Sequence, residues 1–177
     1  MRASKLAMIM IVAVIGFAGV AASTADAKDT KGCEGLGDYR KELFKIGRAY
    51  SEDLNKAGLT TDRDPLTYST DDWIAYADIT LEYQRALKKV TPPDWAKEWH
   101  QGRLERSGLI EQIARTIASG GIMMGVAFND QADALDAKDK QVIASTSEAC
   151  ADFAAFEHDW QSIDGEIDGT PVATPTD

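Results

Sequence analysis

From Leu36 to Trp160 the apolar residues recur at every third or fourth position, the period of a helix with one buried face. No stretch alternates apolar and polar residues for long enough to make a half-buried strand, so the spacing predicts an all-α fold. Leu36, Tyr39, Leu43, Ile46, Tyr50 and Leu54 define a first helix from near Glu34 to about Lys56, with Gly58 at its stop. Thr60 to Ser69, which contains Asp64-Pro65, reads as a connector. A second helix is expected from Thr70, whose hydroxyl can cap free amides, with Asp71 and Asp72 favourable at the positive end. Its stripe is Trp73, Tyr76, Ala77, Tyr83, Leu87 and Val90. Thr91-Pro92-Pro93 ends it, because each proline removes an amide donor.

Pro93 is well placed to open a third helix. Trp95, Trp99, Leu109, Ile110, Ile113 and Ile117 fall within about 100° of its circumference. Met124, Ala127, Phe128 and Leu135 keep the same phase, which predicts one long helix, or one kinked at Gly120-Gly121. Asp136-Ala137-Lys138-Asp139 reads as the next turn, with Asp139 as cap. A fourth helix then carries Val142, Thr146, Ala149, Cys150, Phe153, Phe156 and Trp160 inward and fades near Asp164. The expectation is an antiparallel helical bundle of about four helices over residues 28–164, followed by a disordered tail, 165–177. A continuous third helix makes the bundle elongated; folding at the glycine pair makes it compact.

The first 27 residues have the layout of a secretory signal. Arg2 and Lys5 are followed by the uncharged run Leu6 to Ala22 and by the small-residue site Ala25-Asp26-Ala27. The expected mature chain starts at Lys28 and is secreted or periplasmic; the alternative is a retained N-terminal anchor. No later run is apolar enough to span a bilayer. Cleavage takes Arg2, Lys5 and Asp26 from totals of 19 basic and 29 acidic residues, leaving 17 and 28, a formal charge of −11. A surface that negative repels phosphate backbones, so nucleic acid is not an expected partner. Cys33 and Cys150 are the two cysteines of the exported part, and in an oxidising compartment an isolated pair predicts one disulfide.

The residue patterns nominate no catalytic group, cofactor or metal site. The two histidines, His100 and His158, lie outside the apolar stripes of their own helices and belong to no H-x-x-x-H or E-x-x-H pattern, so both are expected in solvent. Met123-Met124 suits core filling better than soft-metal binding. Asp164 to Gly169 opens like a calcium loop, but the twelfth position is Pro175 where the EF-hand needs glutamate. No nucleophile elbow, P-loop or dinucleotide fingerprint occurs.

Arg106 is the exception among the charged residues, because it falls inside the apolar arc of the third helix, with Gly102 leaving space one turn earlier. A guanidinium there needs a carboxylate, a route to water or a bound anion. Glu157 is the first candidate partner, and the competing assignment makes Arg106 a ligand-binding point.

Thr91-Pro92-Pro93-Asp94-Trp95 with His100 beyond it, and the later Leu135-Asp136-Ala137-Lys138-Asp139, resemble small exported bacterial helical-bundle proteins, largely uncharacterised. The resemblance spans about Thr70 to Phe156. It implies a bundle and no activity. The function expected is a non-enzymatic binding module for a protein or a small apolar or anionic ligand, or alternatively a structural or cell-envelope interaction protein.

Overall fold

The first helix, α1 (Leu36–Lys56), forms where expected and buries Leu36, Tyr39, Leu43, Tyr50 and Leu54 along one face. It belongs to a computed structural model that describes residues 32–60, 63–121 and 125–165. The expected signal peptide, Met123-Met124 and the tail beyond Gly165 lie outside the described residues. The fold is all-α, and among the described residues there is no strand.

The second helix, α2 (Thr70–Leu87), opens on a capping box one residue earlier than expected: Ser69, not Thr70, is the cap. The Asp72 amide donates to the Ser69 hydroxyl at 3.1 Å, and the Ser69 amide donates to the Asp72 carboxylate at 2.8 Å. Arg63 donates to both carboxylate oxygens, at 3.2 and 2.6 Å. These donors hold the Asp72 carboxyl well below the usual carboxylate range, the Arg63 bond contributing most and the Ser69 bonds next. Ser69→Ala removes the cap and should cost about 1 kcal/mol, read from urea unfolding midpoints at unchanged slope.

Pro93 is followed by a 3₁₀ turn, Asp94–Ala96, which leads into α3 (Lys97–Ala118). Of the two forms that phase allows for the third helix, continuous or folded at Gly120-Gly121, the second is found, and α3 ends at Ala118. Gly120 takes φ +83, a backbone conformation that L side chains rarely adopt, and helps close α3. The Gly121 amide donates to the Thr116 carbonyl and the Gly120 amide to the Ile117 carbonyl, both at 2.9 Å, which is the Schellman arrangement. The chain restarts as α4 (Gly125–Ala149), then breaks at Cys150 before α5 (Phe153–Gly165). The expected turn at Asp136–Asp139 is therefore the middle of α4, and Asp139 caps nothing. Among the described residues there are five α-helices, one more than the four or so expected.

Each helix runs opposite to the one before it. Tyr50 meets Thr80 across α1 and α2, Gln84 meets Leu104 across α2 and α3, and Arg106 meets Asp136 across α3 and α4. The ring is closed by α5, which lies along the first half of α1: Phe156 meets Tyr39 and Trp160 meets Phe44. Two apolar clusters fill the interior. One surrounds Trp99, Phe153, Phe156 and Trp160, all at most 1% exposed, and includes Cys33 and Cys150. The other lies at the opposite end among α1, α2 and α3, around Leu54, Leu59, Trp73 and Tyr76. Cys33 and Cys150 form a disulfide, with their Cα atoms 4.7 Å apart, tying the start of α1 to the elbow between α4 and α5.

Candidate functional site

Three arrangements concentrate the polar chemistry of the described residues. The first contains Arg106. Its side chain is only 31% exposed and meets two carboxylates of α4. Arg106 Nε and Nη2 donate to Asp139 Oδ2 at 3.2 and 2.8 Å, and Nη2 also donates to Asp136. Arg103, one turn earlier, donates to the same Asp139 oxygen at 3.0 Å and stacks over Trp99, with its guanidinium carbon 5.2 Å from the ring centre. Asp139 is thus held by two guanidinium groups at 11% side-chain exposure.

Gly102 supplies the space. A Cβ built on it would stand 2.9 Å from Asp139 Oδ1, so a side chain there would force the carboxylate or its neighbours to shift. Glu157, the first partner considered for Arg106, is buried elsewhere on α5 at 4% exposure. Asp139 is the buried partner and not the cap that the sequence suggests, because the polar run 136–139 has the composition of a turn. The usable signal was the three-residue spacing of Asp136 and Asp139, which places both on one helix face.

The second arrangement overturns the expectation that His100 faces solvent. His100 is 5% exposed, and both ring nitrogens are engaged. Nε2 lies 3.2 Å from the Leu87 carbonyl oxygen, which can only accept, so Nε2 carries the proton. Nδ1 then accepts from the Tyr39 hydroxyl at 2.9 Å. Burial pushes the His100 pKa below its ordinary value, against a smaller upward pull from the Leu87 bond. Burial likewise pushes the Tyr39 hydroxyl well above its ordinary value, with smaller opposing effects of Arg103 downward and Glu157 upward. A neutral histidine and a tyrosine that resists ionisation make a structural relay, not an activated nucleophile. His158 sits where expected, with its side chain 73% exposed.

The third is an open groove of about 620 Å³ between α1 and the α2–α3 connector. Tyr39, Ile46, Ala86, Val90, Pro92 and Pro93 give it apolar walls, and Asp38, Glu42, Lys45 and Lys89 bring charge to it. Nothing in the sequence marked it, since its two sides come from segments about fifty residues apart that share no motif. Among the described residues no cluster of three or more histidine, cysteine or carboxylate ligands could hold a metal. No helix among them is long and apolar enough to cross a membrane.

These features define an all-α, disulfide-closed helical bundle. No family model, curated protein or solved structure matches the chain.

Proposed function

We propose that this protein is an exported helical-bundle module that binds a protein, or a small apolar or anionic ligand, outside the cytoplasm and catalyses no reaction. The observation that carries this reading is the groove. It joins apolar walls to two lysines, Lys45 and Lys89, set beside two acids, Asp38 and Glu42, and its volume of about 620 Å³ is within the range of small-molecule sites. The buried disulfide supports an oxidising compartment. Arg106 is the weaker anchor for an anion, because Asp136 and Asp139 already compensate its charge.

That compensation favours the second reading, a structural or cell-envelope interaction protein without a small-molecule site. Anilinonaphthalene sulfonate, an apolar anion, separates the two at neutral pH. The groove reading expects saturable fluorescence enhancement by the mature protein. Val90→Glu should reduce the affinity at least tenfold, while the control Leu66→Glu, at a residue 68% exposed and outside the groove, should not. Native mass spectrometry of protein recovered from the exporting cell should show a bound mass that Val90→Glu loses. No probe binding and no bound mass would leave the structural reading standing.

A further inference from the structure

We propose that His100 is an acid-sensitive latch, holding α1 against the corner between α2 and α3 and releasing it as the surroundings become acidic. The latch has a single hydrogen-bond pattern. Leu87 O accepts from Nε2 at 3.2 Å, and Tyr39 Oη donates to Nδ1 at 2.9 Å, so one neutral ring joins three helices. A second proton on the ring would occupy Nδ1 and face the Tyr39 oxygen. The hydroxyl, now the acceptor, would then have to turn its own proton away from Nδ1. Losing the Nδ1 acceptor and placing a charge on a ring only 5% exposed together disfavour the closed corner.

The charges around this point come from several helices. Tyr39 on α1 is the ionisable contact, and α2 presents the Leu87 carbonyl. Arg103 on α3 and Glu157 on α5 act on the Tyr39 hydroxyl with opposite sign, and Asp139 on α4 is bound to Arg103. For the ring itself, burial disfavours the charge, against the smaller upward pull of the Leu87 bond.

The direction of the pH response follows. An opened corner binds the proton near the ordinary histidine value of 6.5, whereas the closed corner binds it only at lower pH. The closed state is therefore fully favoured above that value and loses ground as pH falls towards the depressed one. Between the two values the opening constant rises by up to about tenfold per pH unit. Tyr39 also lines the groove, and Ala86 and Val90, on either side of Leu87, line it too. Gating of the groove rests on the binding reading above; the latch itself does not.

The test uses ligand-free mature protein with its disulfide intact, titrated from pH 8 to 4. Amide exchange is read as protection factors, alongside NMR of the histidine rings. Protection in residues 36–46 and 86–93 should fall in one step below pH 6.5, coincident with titration of the His100 ring, while the far end around Trp73 and Tyr76 stays protected. His158→Gln should keep the step and His100→Gln should abolish it. If His100→Gln does not fold, the wild-type ring titration decides alone. The latch is overturned if the step persists in His100→Gln, or if His100 titrates without loss of protection. It is equally overturned if His100 stays neutral to pH 4 with the corner closed. Because no ligand is present, failure of the groove reading leaves these outcomes unaffected.

Discussion

Asp139→Ala is expected to destabilise the mature protein by about 3–5 kcal/mol, because it removes the shared partner of two guanidinium groups away from bulk water. Asp139 and Arg103 are only 11% and 12% exposed as side chains, so neither charge has ready access to solvent screening. Arg103 Nε is already buried without a hydrogen-bond acceptor among the described residues. Losing Asp139 would leave the Arg103 guanidinium with its stacking on Trp99 as the main compensation. Arg106 is better placed to recover, since it is 31% exposed and keeps Asp136, itself 42% exposed. Asp136→Ala should therefore cost no more than about 1 kcal/mol, as exposed pairs do. Urea unfolding of the two variants gives the comparison. Equal small losses would mean that the network is a solvated surface feature, and the ligand-binding reading of Arg106 would gain by it.

Replacing both cysteines, Cys33→Ala with Cys150→Ala, should lower stability by about 2–5 kcal/mol. The bond closes a loop with a sequence separation of 117, and the chain-entropy account gives the upper part of that range for a loop so long. Its position adds a structural consequence. Cys33 precedes α1, and Cys150 sits at the elbow that turns the chain from α4 into α5. Both are fully buried in the cluster around Trp99, so the bond pins the chain where it enters the short α5. Amide exchange in the double variant should therefore rise first in α5 and the start of α1, before the Trp73–Tyr76 end is affected. A variant that melts within about 2 °C of the parent would show that the aromatic cluster alone holds α5. Shielding of both sulfurs also predicts slow reduction in native buffer and fast reduction in denaturant, which free-thiol titration reads directly.

Much of this fold was legible in local spacing, because a helix is built from bonds between near neighbours. The extent of α1, the start of α2 within one residue and the choice of Cys33 with Cys150 all follow from residues close together or from having only one pair to join. Helix α2 instead stops at Leu87, ahead of Val90 and the proline pair expected to end it. The inward placement of Arg106 was legible too, since its position on the wheel needs nothing beyond its own helix. What the sequence could not decide was what stands opposite each face. His100 lies away from the main stripe of α3 and was expected in water, yet α1 and α2 both reach it, because a helix packed on several sides has more than one interior face. The run Asp136 to Asp139 looks like a turn as long as its polar residues have no partners. Once α4 folds back along α3, the Arg103 and Arg106 guanidiniums satisfy the acids, and the helix continues through them. Continuity of phase across Gly120-Gly121 allows either one long helix or one folded at the pair, because two antiparallel helices lining one core can share a phase by accident. Local rules thus determined where helices begin and what each buries first. The tertiary structure decided which polar groups are inside, because burying a charge or an imidazole depends on a partner that only the packed neighbours supply.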